Sequence, residues 1–314
     1  MKVIFLGAPL FAVNVLRELL AGSHQVVGVV CQPDKKGNRN KMTPCDVKIF
    51  AQQNDLPVFD WANINEEQNL RTLASLDADV MVTAAYGQML SQQVLDLTPH
   101  GVINVHGSLL PKLRGASPVQ RAIIDGETST GISIVKTVLK MDAGPVLMQA
   151  RTEISSTDTA DDLFLRLSQM GGKLLCQALT ALQEGRAEFT EQDAQQVTFC
   201  KKIKAEQELI DWSQSAFAVS CLIRGLSSNP GAYTYLGGKR LKIYNCTLSE
   251  PPTTAQGNAG EIVYTKKQMY VYCGDGKTLS ITDLQMAESK RMRISDFLNG
   301  LKVRPDAFDK QERQ

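Results

Sequence analysis

Residues 101–115 read GVINVHGSLLPKLRG, and this stretch decides how the rest of the chain can be organised. Three of its first five residues are β-branched valine or isoleucine, which favour a buried strand. Asn104 and His106 stand two positions apart, so alternation places both side chains on one face of that strand. The glycines and proline that follow predict a loop. Ligands bind at the carboxyl edge of open α/β sheets, so the stretch predicts an amide and an imidazole at a binding edge.

An isolated Asn-x-His at a strand end is more often a hydrogen-bonded core pair than a site. Here His106 is the only one of the three histidines in such a setting, and a loop follows it directly. An acid, Asp142, follows 36 residues later in the sequence DAGP at residues 142–145. That tetrapeptide is also a turn signature, in which an aspartate often serves the turn alone. Taken by itself, Asp142 is therefore better explained by the turn.

Length and composition describe an ordinary globular protein with about two domains. Of the 314 residues, 43% are hydrophobic and 21% are charged. The seven cysteines form no C-x-x-C pair, so neither a zinc site nor a redox motif is indicated, and no metal is expected. Their irregular spacing fits a reducing cytoplasm. Because no signal peptide and no membrane span is evident, we expect a cytoplasmic protein without a membrane partner.

The net charge of +1 is unevenly distributed along the chain. Residues 201–314 carry 17 Lys and Arg against 12 Asp and Glu, whereas residues 1–200 carry a net charge of −4. A basic last third suggests contact with an anionic partner, although a random surface imbalance explains the charge nearly as well.

Apolar runs at residues 2–6, 26–31, 56–59, 80–85 and 102–106 alternate with helical segments. This alternation predicts an α/β fold with a doubly wound, mostly parallel sheet. The first strand is followed by GAPLFA, which lacks the G-x-G-x-x-G fingerprint, so dinucleotide binding is not supported. Strands at 131–138 and 145–154 and a long helix ending near Gly185 complete this first domain.

The character of the chain changes after about residue 204. A helix ends at Gly225, and short alternating runs separated by glycine turns follow from residue 232 to residue 284. Such runs predict a small β-barrel. We therefore expect a first domain over residues 1–188, a linker over 189–207 and a second domain over 208–314.

A basic loop follows the second predicted strand. Lys35, Lys36, Arg39 and Lys41 occur within a few residues, with no apolar periodicity around them. Such loops are usually only solvated, but this one lies near the ligand edge of the sheet. We interpret it as a contact with phosphates.

Over nearly its whole length the chain resembles the folate-dependent formyltransferases, and most closely those members that act on methionyl-tRNA. The segments that carry the resemblance are GAPLFAV, QPD, ADVMVTAAYGQML, INVHGSLLPKLRGASPVQRAI, ETSTGISIV, MDAGPVL, ELIDWSQSA, IRGLSSNPGAYTY and LQMAESKRMRISDFLNG. The resemblance implies a Rossmann-like formyltransferase domain followed by an OB-like β-barrel that binds tRNA.

The resemblance implies that Asn104, His106 and Asp142 are the catalytic residues. Formyl transfer from 10-formyltetrahydrofolate to an amine passes through a tetrahedral intermediate whose oxygen becomes negative. Asn104 can donate a hydrogen bond to that oxygen. His106 can donate to the same oxygen or relay the proton of the amine, and Asp142 can accept from the imidazole. We therefore expect Asp142 to approach His106 in space.

The resemblance also implies the positions of the two substrates. Two loop segments would contact the folate carrier: Ser108, Leu109, Leu110 and Pro111, and Tyr86, Gly87, Gln88, Met89 and Leu90. The acceptor would be initiator methionyl-tRNA, formylated for translation initiation, and the contacts would include Lys35, Lys36, Arg39 and Lys41. We expect a monomer.

Other readings remain open at this point. A relative that formylates the amino group of a nucleotide sugar would share the Asn-x-His, SLLP and later aspartate. A glycinamide ribonucleotide formyltransferase would need no second domain. A nucleic-acid-binding module with an inactive catalytic domain is disfavoured by the intact Asn104, His106 and Asp142.

Overall fold

The structure is a computed structural model that describes residues 1–36, 42–251 and 256–309. The chain divides into two compact units. The first unit takes Met1–Pro118, Thr130–Thr152 and Phe164–Cys200. The second takes Val119–Ser129, Glu153–Leu163 and Lys201–Gln314.

The elements up to residue 200 follow the predicted alternation of strands and helices. In chain order they are β1 (Lys2–Gly7), α1 (Leu10–Ala21), β2 (Gln25–Val30), β3 (Lys35–Lys36), β4 (Met42–Thr43), α2 (Asp46–Gln53), β5 (Val58–Phe59), α3 (Glu67–Ser75), β6 (Val80–Ala84), α4 (Gln92–Leu95), β7 (Val102–His106), β8 (Arg114–Gly115), α5 (Pro118–Ile124), β9 (Ser129–Lys136), β10 (Val146–Glu153), α6 (Ala160–Gln183) and β11 (Phe199–Cys200).

Seven strands form one sheet in the order β10-β9-β7-β6-β1-β2-β5. The pairs β1–β2, β1–β6, β2–β5 and β6–β7 are parallel, and β9 joins β7 antiparallel. After β1 the chain adds β2 and β5 on one side of β1. It then adds β6, β7, β9 and β10 on the other side. The strand order therefore reverses between β1 and β6, and the crevice at such a reversal is where ligands bind. The predicted doubly wound α/β fold is confirmed.

The strand β7 is fixed in the middle of this sheet by its apolar residues. Ile103 is fully buried, and burying a side chain of this size stabilises the fold by about 1.5–3 kcal/mol. The helix α6 packs closely against the strand, because a Cβ on Gly171 would lie 2.8 Å from Val105 Cγ1. The end of β7 is thus a rigid platform for Asn104 and His106.

The alternating short runs predict a small β-barrel, and in the second unit these runs form an antiparallel sheet. Its elements after residue 200 are α7 (Ala216–Gly225), β12 (Ala232–Leu236), β13 (Lys239–Leu248), β14 (Ile262–Tyr264), β15 (Met269–Tyr272), β16 (Thr278–Met286), β17 (Met292–Arg293) and α8 (Ile294–Gly300). The sheet order is β12-β13-β16-β15-β14, with β17 also paired to β16. Trp212 and Phe308 stack in its core with ring centroids 5.0 Å apart.

The segment predicted as a linker is not uniform. Residues 189–200 belong to the first unit, where β11 pairs in parallel with β8, whereas residues 201–207 belong to the second. The polar, aperiodic composition of the segment gave no sign of this two-residue pairing. Among the described residues, no helix is long and apolar enough to cross a membrane.

Candidate active site

Three polar side chains meet at the carboxyl end of β7. Asp142 Oδ1 lies 3.5 Å from Asn104 Nδ2 and 3.5 Å from His106 Nδ1. His106 is 6% exposed and the Asp142 side chain 13%, so water screens these contacts poorly. The proximity of Asp142 to His106 that the sequence predicts is present.

The register between β6 and β7 fixes the orientation of the Asn104 amide. Thr83 and Asn104 are Cα partners in the two parallel strands, and Thr83 Oγ1 donates to Asn104 Oδ1 over 2.9 Å. A hydroxyl donor must face the amide oxygen, so the NH₂ group points toward Asp142. The amide hydrogens are thereby presented at the site.

His106 is held between two acceptors. Its Nε2 lies 3.1 Å from the carbonyl oxygen of Leu113, and a carbonyl oxygen can only accept, so Nε2 carries a hydrogen in this contact. The other nitrogen faces the Asp142 carboxylate. The ring orientation is therefore set by one backbone contact and one side-chain contact.

Asp142 is positioned from both its backbone and its side chain. It has φ of +49°, a left-handed conformation that aspartate tolerates better than most residues. Its Oδ2 accepts from the Gly115 amide over 2.8 Å. Gln192 Nε2 donates to the carbonyl oxygens of Asp142 and Gly144 over 2.8 and 2.7 Å. These contacts hold the turn that presents the carboxylate.

Gln192 is itself held by Arg114. Its Oε1 accepts from Arg114 Nε over 3.0 Å and from Nη2 over 2.8 Å. Arg114 is only 6% exposed, and a guanidinium fork fixes its partner's direction. The Arg114–Gln192 contact therefore ties the loop after β7 to the turn that carries Asp142.

The loop of Ser108, Leu109, Leu110 and Pro111 is fixed by Ser133, the Cα partner of His106 in β9. Ser133 Oγ accepts from the Leu110 amide over 2.9 Å and donates to the Ser108 carbonyl oxygen over 2.7 Å. Gln149 Nε2 donates to the Leu110 carbonyl oxygen over 2.8 Å. These hydrogen bonds to its backbone fix the conformation of the loop. Leu109 and Pro111 are half-buried, while Ser108 and Leu110 are buried.

The segment after β6 contains both buried and exposed residues. Tyr86 and Leu90 are buried, Gln88 is half-buried, and Gly87 and Met89 are exposed. Gln88 binds the Ile64 amide and the Trp61 carbonyl oxygen through its side chain. The hydroxyl of Tyr86 has no hydrogen-bond partner among the described residues, and burial raises the pKa of this phenol. Met89 is the side chain most open to a ligand.

The predicted tRNA contacts are described only in part. Lys35 is exposed and, with Lys36, forms β3, which pairs antiparallel with β4. Arg39 and Lys41 lie outside the described residues.

Two arginines of the second unit lie over tyrosine rings. The guanidinium of Arg240 lies 3.6 Å from the ring centroid of Tyr233, and that of Arg291 lies 4.5 Å from the ring centroid of Tyr244. Lys242 is the cross-strand partner of Tyr233. Arg240 also pairs with Glu208 over 3.1 Å and Arg291 with Asp283 over 3.4 Å, and Tyr244 is buried, so these groups have partners within the unit.

Sequence reasoning missed the residues that position the three polar groups. Thr83 lies in a buried apolar strand, and Gln192 lies in an aperiodic segment 50 residues after Asp142. The role of Thr83 becomes visible only through the register of β6 and β7. The role of Gln192 becomes visible only once the segment before β11 is placed beside the Asp142 turn. Within the described ranges, no group of three or more His, Cys, Asp or Glu residues is arranged to hold a metal ion.

The comparison with known families agrees with this architecture. Residues 1–179 match the formyl transferase family and residues 202–302 match the formyl transferase C-terminal domain. The chain therefore belongs to the formyl transferase family.

Individual proteins similar to this chain are known within the family and among solved structures. The chain is 41% identical over 303 residues to the methionyl-tRNA formyltransferase of Bacillus thuringiensis subsp. konkukian, covering 96% of both chains. Two solved structures share the fold. The N-formyltransferase from Helicobacter canadensis, in complex with folinic acid and dTDP-3-aminofucose, has a TM-score of 0.66 at 17% identity and covers 90% of this chain and 98% of its own. The methionyl-tRNA formyltransferase from Clostridium thermocellum has a TM-score of 0.54 at 15% identity and covers 79% and 94%.

Proposed function

We propose that this protein transfers the formyl group of 10-formyltetrahydrofolate to the amino group of initiator methionyl-tRNA, acting as a cytoplasmic monomer. The observation that carries the proposal is the single carboxylate oxygen of Asp142 that contacts both Asn104 and His106. The high identity to a methionyl-tRNA formyltransferase over nearly the whole chain supports the choice of acceptor.

In the proposed reaction the amine nitrogen attacks the formyl carbon, and the carbonyl oxygen gains negative charge. Asn104 donates from Nδ2 to that oxygen. Because Thr83 already binds the amide oxygen, the donor is oriented before the substrate arrives. Removing one such donor typically costs about 100-fold in rate.

The amine must lose a proton as the carbon–nitrogen bond forms. His106 and Asp142 form the path for this proton, with the carboxylate orienting the imidazole and stabilising its charged form. When the bond between the formyl carbon and N10 breaks, the electron pair goes to N10, which is protonated. The products are tetrahydrofolate and N-formylmethionyl-tRNA.

For the donor, we propose that the two loops at the carboxyl edge of the sheet contact the folate. Ser108, Leu109, Leu110 and Pro111 lie after β7, and Tyr86, Gly87, Gln88, Met89 and Leu90 lie after β6. β6 borders the reversal of strand order and β7 is its parallel neighbour, which supports a ligand at this edge. The half-buried Leu109 and exposed Met89 supply apolar contact.

For the acceptor, we propose contacts from Lys35, Lys36, Arg39 and Lys41 and from the basic second domain. The net charge of +5 on residues 201–314 supports an anionic partner for the second domain, residues 208–314. Affinity for tRNA is then expected to fall steeply as salt rises.

The experiment is a competition between acceptors. The protein is incubated with 10-formyltetrahydrofolate and either methionyl-tRNA or an amino-sugar nucleotide, and the formylated product is measured by mass spectrometry. Formylation of methionyl-tRNA supports the proposal. Formylation of the sugar alone would assign the chain to sugar formylation, and transfer to neither acceptor would leave a binding role.

A further inference from the structure

The segment between β5 and α3, to which the sequence assigns no role, is tied to the loop after β6. Asn65 lies in this segment and is half-buried. Its Nδ2 donates to the Met89 carbonyl oxygen over 3.0 Å, and its Oδ1 accepts from the Ser91 backbone amide over 2.8 Å. One side chain thus binds the two peptide groups on either side of Leu90.

The side-chain amide of Asn65 is itself held within its own segment. Asn63 Oδ1 accepts from the Asn65 backbone amide over 3.1 Å and from Nδ2 over 3.0 Å. The Asn63 carbonyl oxygen in turn accepts from Asn69 Nδ2 over 2.9 Å, and Asn69 is a buried residue of α3. Because an amide group has a donor at one end and an acceptor at the other, these partners fix its direction. The loop after β6 is therefore anchored to a helix.

The backbone of the loop needs such support. Ala85 and Gly87 have φ of +48° and +86°, and the left-handed conformation is unfavourable for a residue with a Cβ, such as alanine. It persists where surrounding contacts impose it. At the start of the loop the Gln32 side chain donates to the Tyr86 carbonyl oxygen over 2.9 Å. Side chains of other segments, Gln32 and Asn65, thus bind the backbone at both ends of the loop.

The loop held in this way exposes an apolar side chain at the ligand edge of the sheet. Met89 is 61% exposed, whereas the next residue, Leu90, is buried. The loop follows β6, which borders the reversal of strand order. A loop that is ordered before the ligand arrives loses less conformational entropy on binding. Freeing the loop from Asn65 should therefore weaken ligand binding, whereas the proposed chemistry belongs to side chains at the end of β7.

We propose that Asn65 is a positioning residue for the folate donor. It holds the loop that carries Met89 in the conformation that binds folate, and so sets the affinity for this substrate without touching the reacting atoms. The inference rests on the proposed function, in which this loop contacts the folate. It predicts a change in KM for 10-formyltetrahydrofolate and not in kcat. A role confined to folding would lower the melting temperature and leave the affinity of the folded protein unchanged.

The first measurement is the dissociation constant of folinic acid, determined by isothermal titration calorimetry with the intact protein. Asn65→Ala removes both hydrogen bonds to the loop, and we expect the dissociation constant to rise about tenfold. Asn54→Ala is the matched control, because Asn54 is exposed and its side chain donates to the Phe50 carbonyl oxygen in α2. Equal affinities of these two variants would overturn this inference alone. A wild-type protein that does not bind folinic acid would overturn the proposed folate donor as well.

The second measurement is steady-state kinetics with both substrates. For Asn65→Ala we expect KM for 10-formyltetrahydrofolate to rise about tenfold, while kcat and KM for methionyl-tRNA stay within about twofold of wild type. Asn65→Asp keeps an acceptor for the Ser91 amide but has no donor for the Met89 carbonyl oxygen, so it should also raise KM for the folate. A fall in kcat with unchanged KM for the folate, or wild-type kinetics in Asn65→Asp, would overturn the proposal.

The third measurement is amide hydrogen exchange, followed by mass spectrometry of peptides that cover residues 86–92. In the wild type the Ser91 amide should exchange slowly, because Asn65 Oδ1 accepts from it. We expect Asn65→Ala to accelerate exchange in these peptides while exchange in β1 stays unchanged, which separates a freed loop from a loss of global stability. Unaltered exchange over residues 86–92 would overturn the proposal.

Discussion

The carboxylate of Asp142 lies 3.5 Å from the imidazole of His106, although 36 residues separate the two along the chain. The turn that carries Asp142 folds back over the face of β7 that carries Asn104 and His106. Asp142 lies in a turn, where Gly115 and Gln192 hold it. His106 lies at the end of β7, and its Nε2 contacts the Leu113 carbonyl oxygen.

Replacing Asp142 by asparagine removes the charge while leaving an oxygen to accept from the Gly115 amide. We expect kcat to fall by about 100-fold or more, because the imidazole loses its ionic partner. The melting temperature should stay within a few degrees of wild type. Steady-state kinetics and thermal unfolding measure both, with the exposed Asp193→Asn as control. A kcat near that of wild type would remove Asp142 from the mechanism.

Thr83→Val tests whether the Asn104 amide must be oriented. Valine has nearly the shape of threonine but cannot donate to Asn104 Oδ1. If the orienting hydrogen bond contributes about 1.4 kcal/mol to transition-state stabilisation, its loss lowers kcat about tenfold. KM should not change. Thr83→Ser keeps the hydroxyl and should retain most activity. Equal kcat values for Thr83→Ser and Thr83→Val would show that the hydroxyl does not orient the Asn104 amide.

Gln192→Ala tests the contact that supports the Asp142 turn. The variant removes both donated hydrogen bonds, and we expect kcat to fall about tenfold while the KM values for both substrates change little. Gln192→Glu should be at least as poor, since a carboxylate cannot donate to the two carbonyl oxygens. Gln196→Ala is the matched control in the same segment, because the Gln196 side chain donates to the exposed Asp193 and not to the Asp142 turn. Equal kinetics for Gln192→Ala and Gln196→Ala would show that the contact is dispensable.

Gly115→Ala tests the close packing at the β8–β11 pair. Gly115 has φ of +125°, and a Cβ there would lie 2.1 Å from the Cys200 carbonyl oxygen. We expect the free energy of unfolding to fall by about 2 kcal/mol or more. Gly185→Ala provides the comparison, because φ is +68° but no atom lies within 4 Å, and it should cost about 1 kcal/mol. Urea unfolding measures both, and similar losses would contradict the packing argument.

The elements with strong periodicity were predictable from the sequence. The strands of the parallel sheet and the long helix α6 follow from apolar spacing, as does the segment of β7 that carries Asn104 and His106. The position of Asp142 beside His106 followed from the resemblance to a family, because the turn signature alone favours an aspartate that serves only the turn. Strands and helices can be predicted in this way because apolar residues recur at a fixed spacing along each of them.

The supporting contacts were not predictable. Thr83 meets Asn104 through strand register, and Gln192 meets Asp142 across 50 residues, with no periodic signal at either position. The strands β8 and β11 have two residues each, which is too short for an alternation of apolar and polar residues to be recognised.

The most direct test of the central claim is a double-mutant cycle on single-turnover transfer to methionyl-tRNA. The rates of wild type, Asn104→Ala, Asp142→Asn and the double variant are compared by rapid quench with saturating substrates. If the residues act as one unit, the double variant should be slowed little more than the slower single variant. Independent, multiplying losses, or a wild-type protein that does not formylate methionyl-tRNA, would contradict the account.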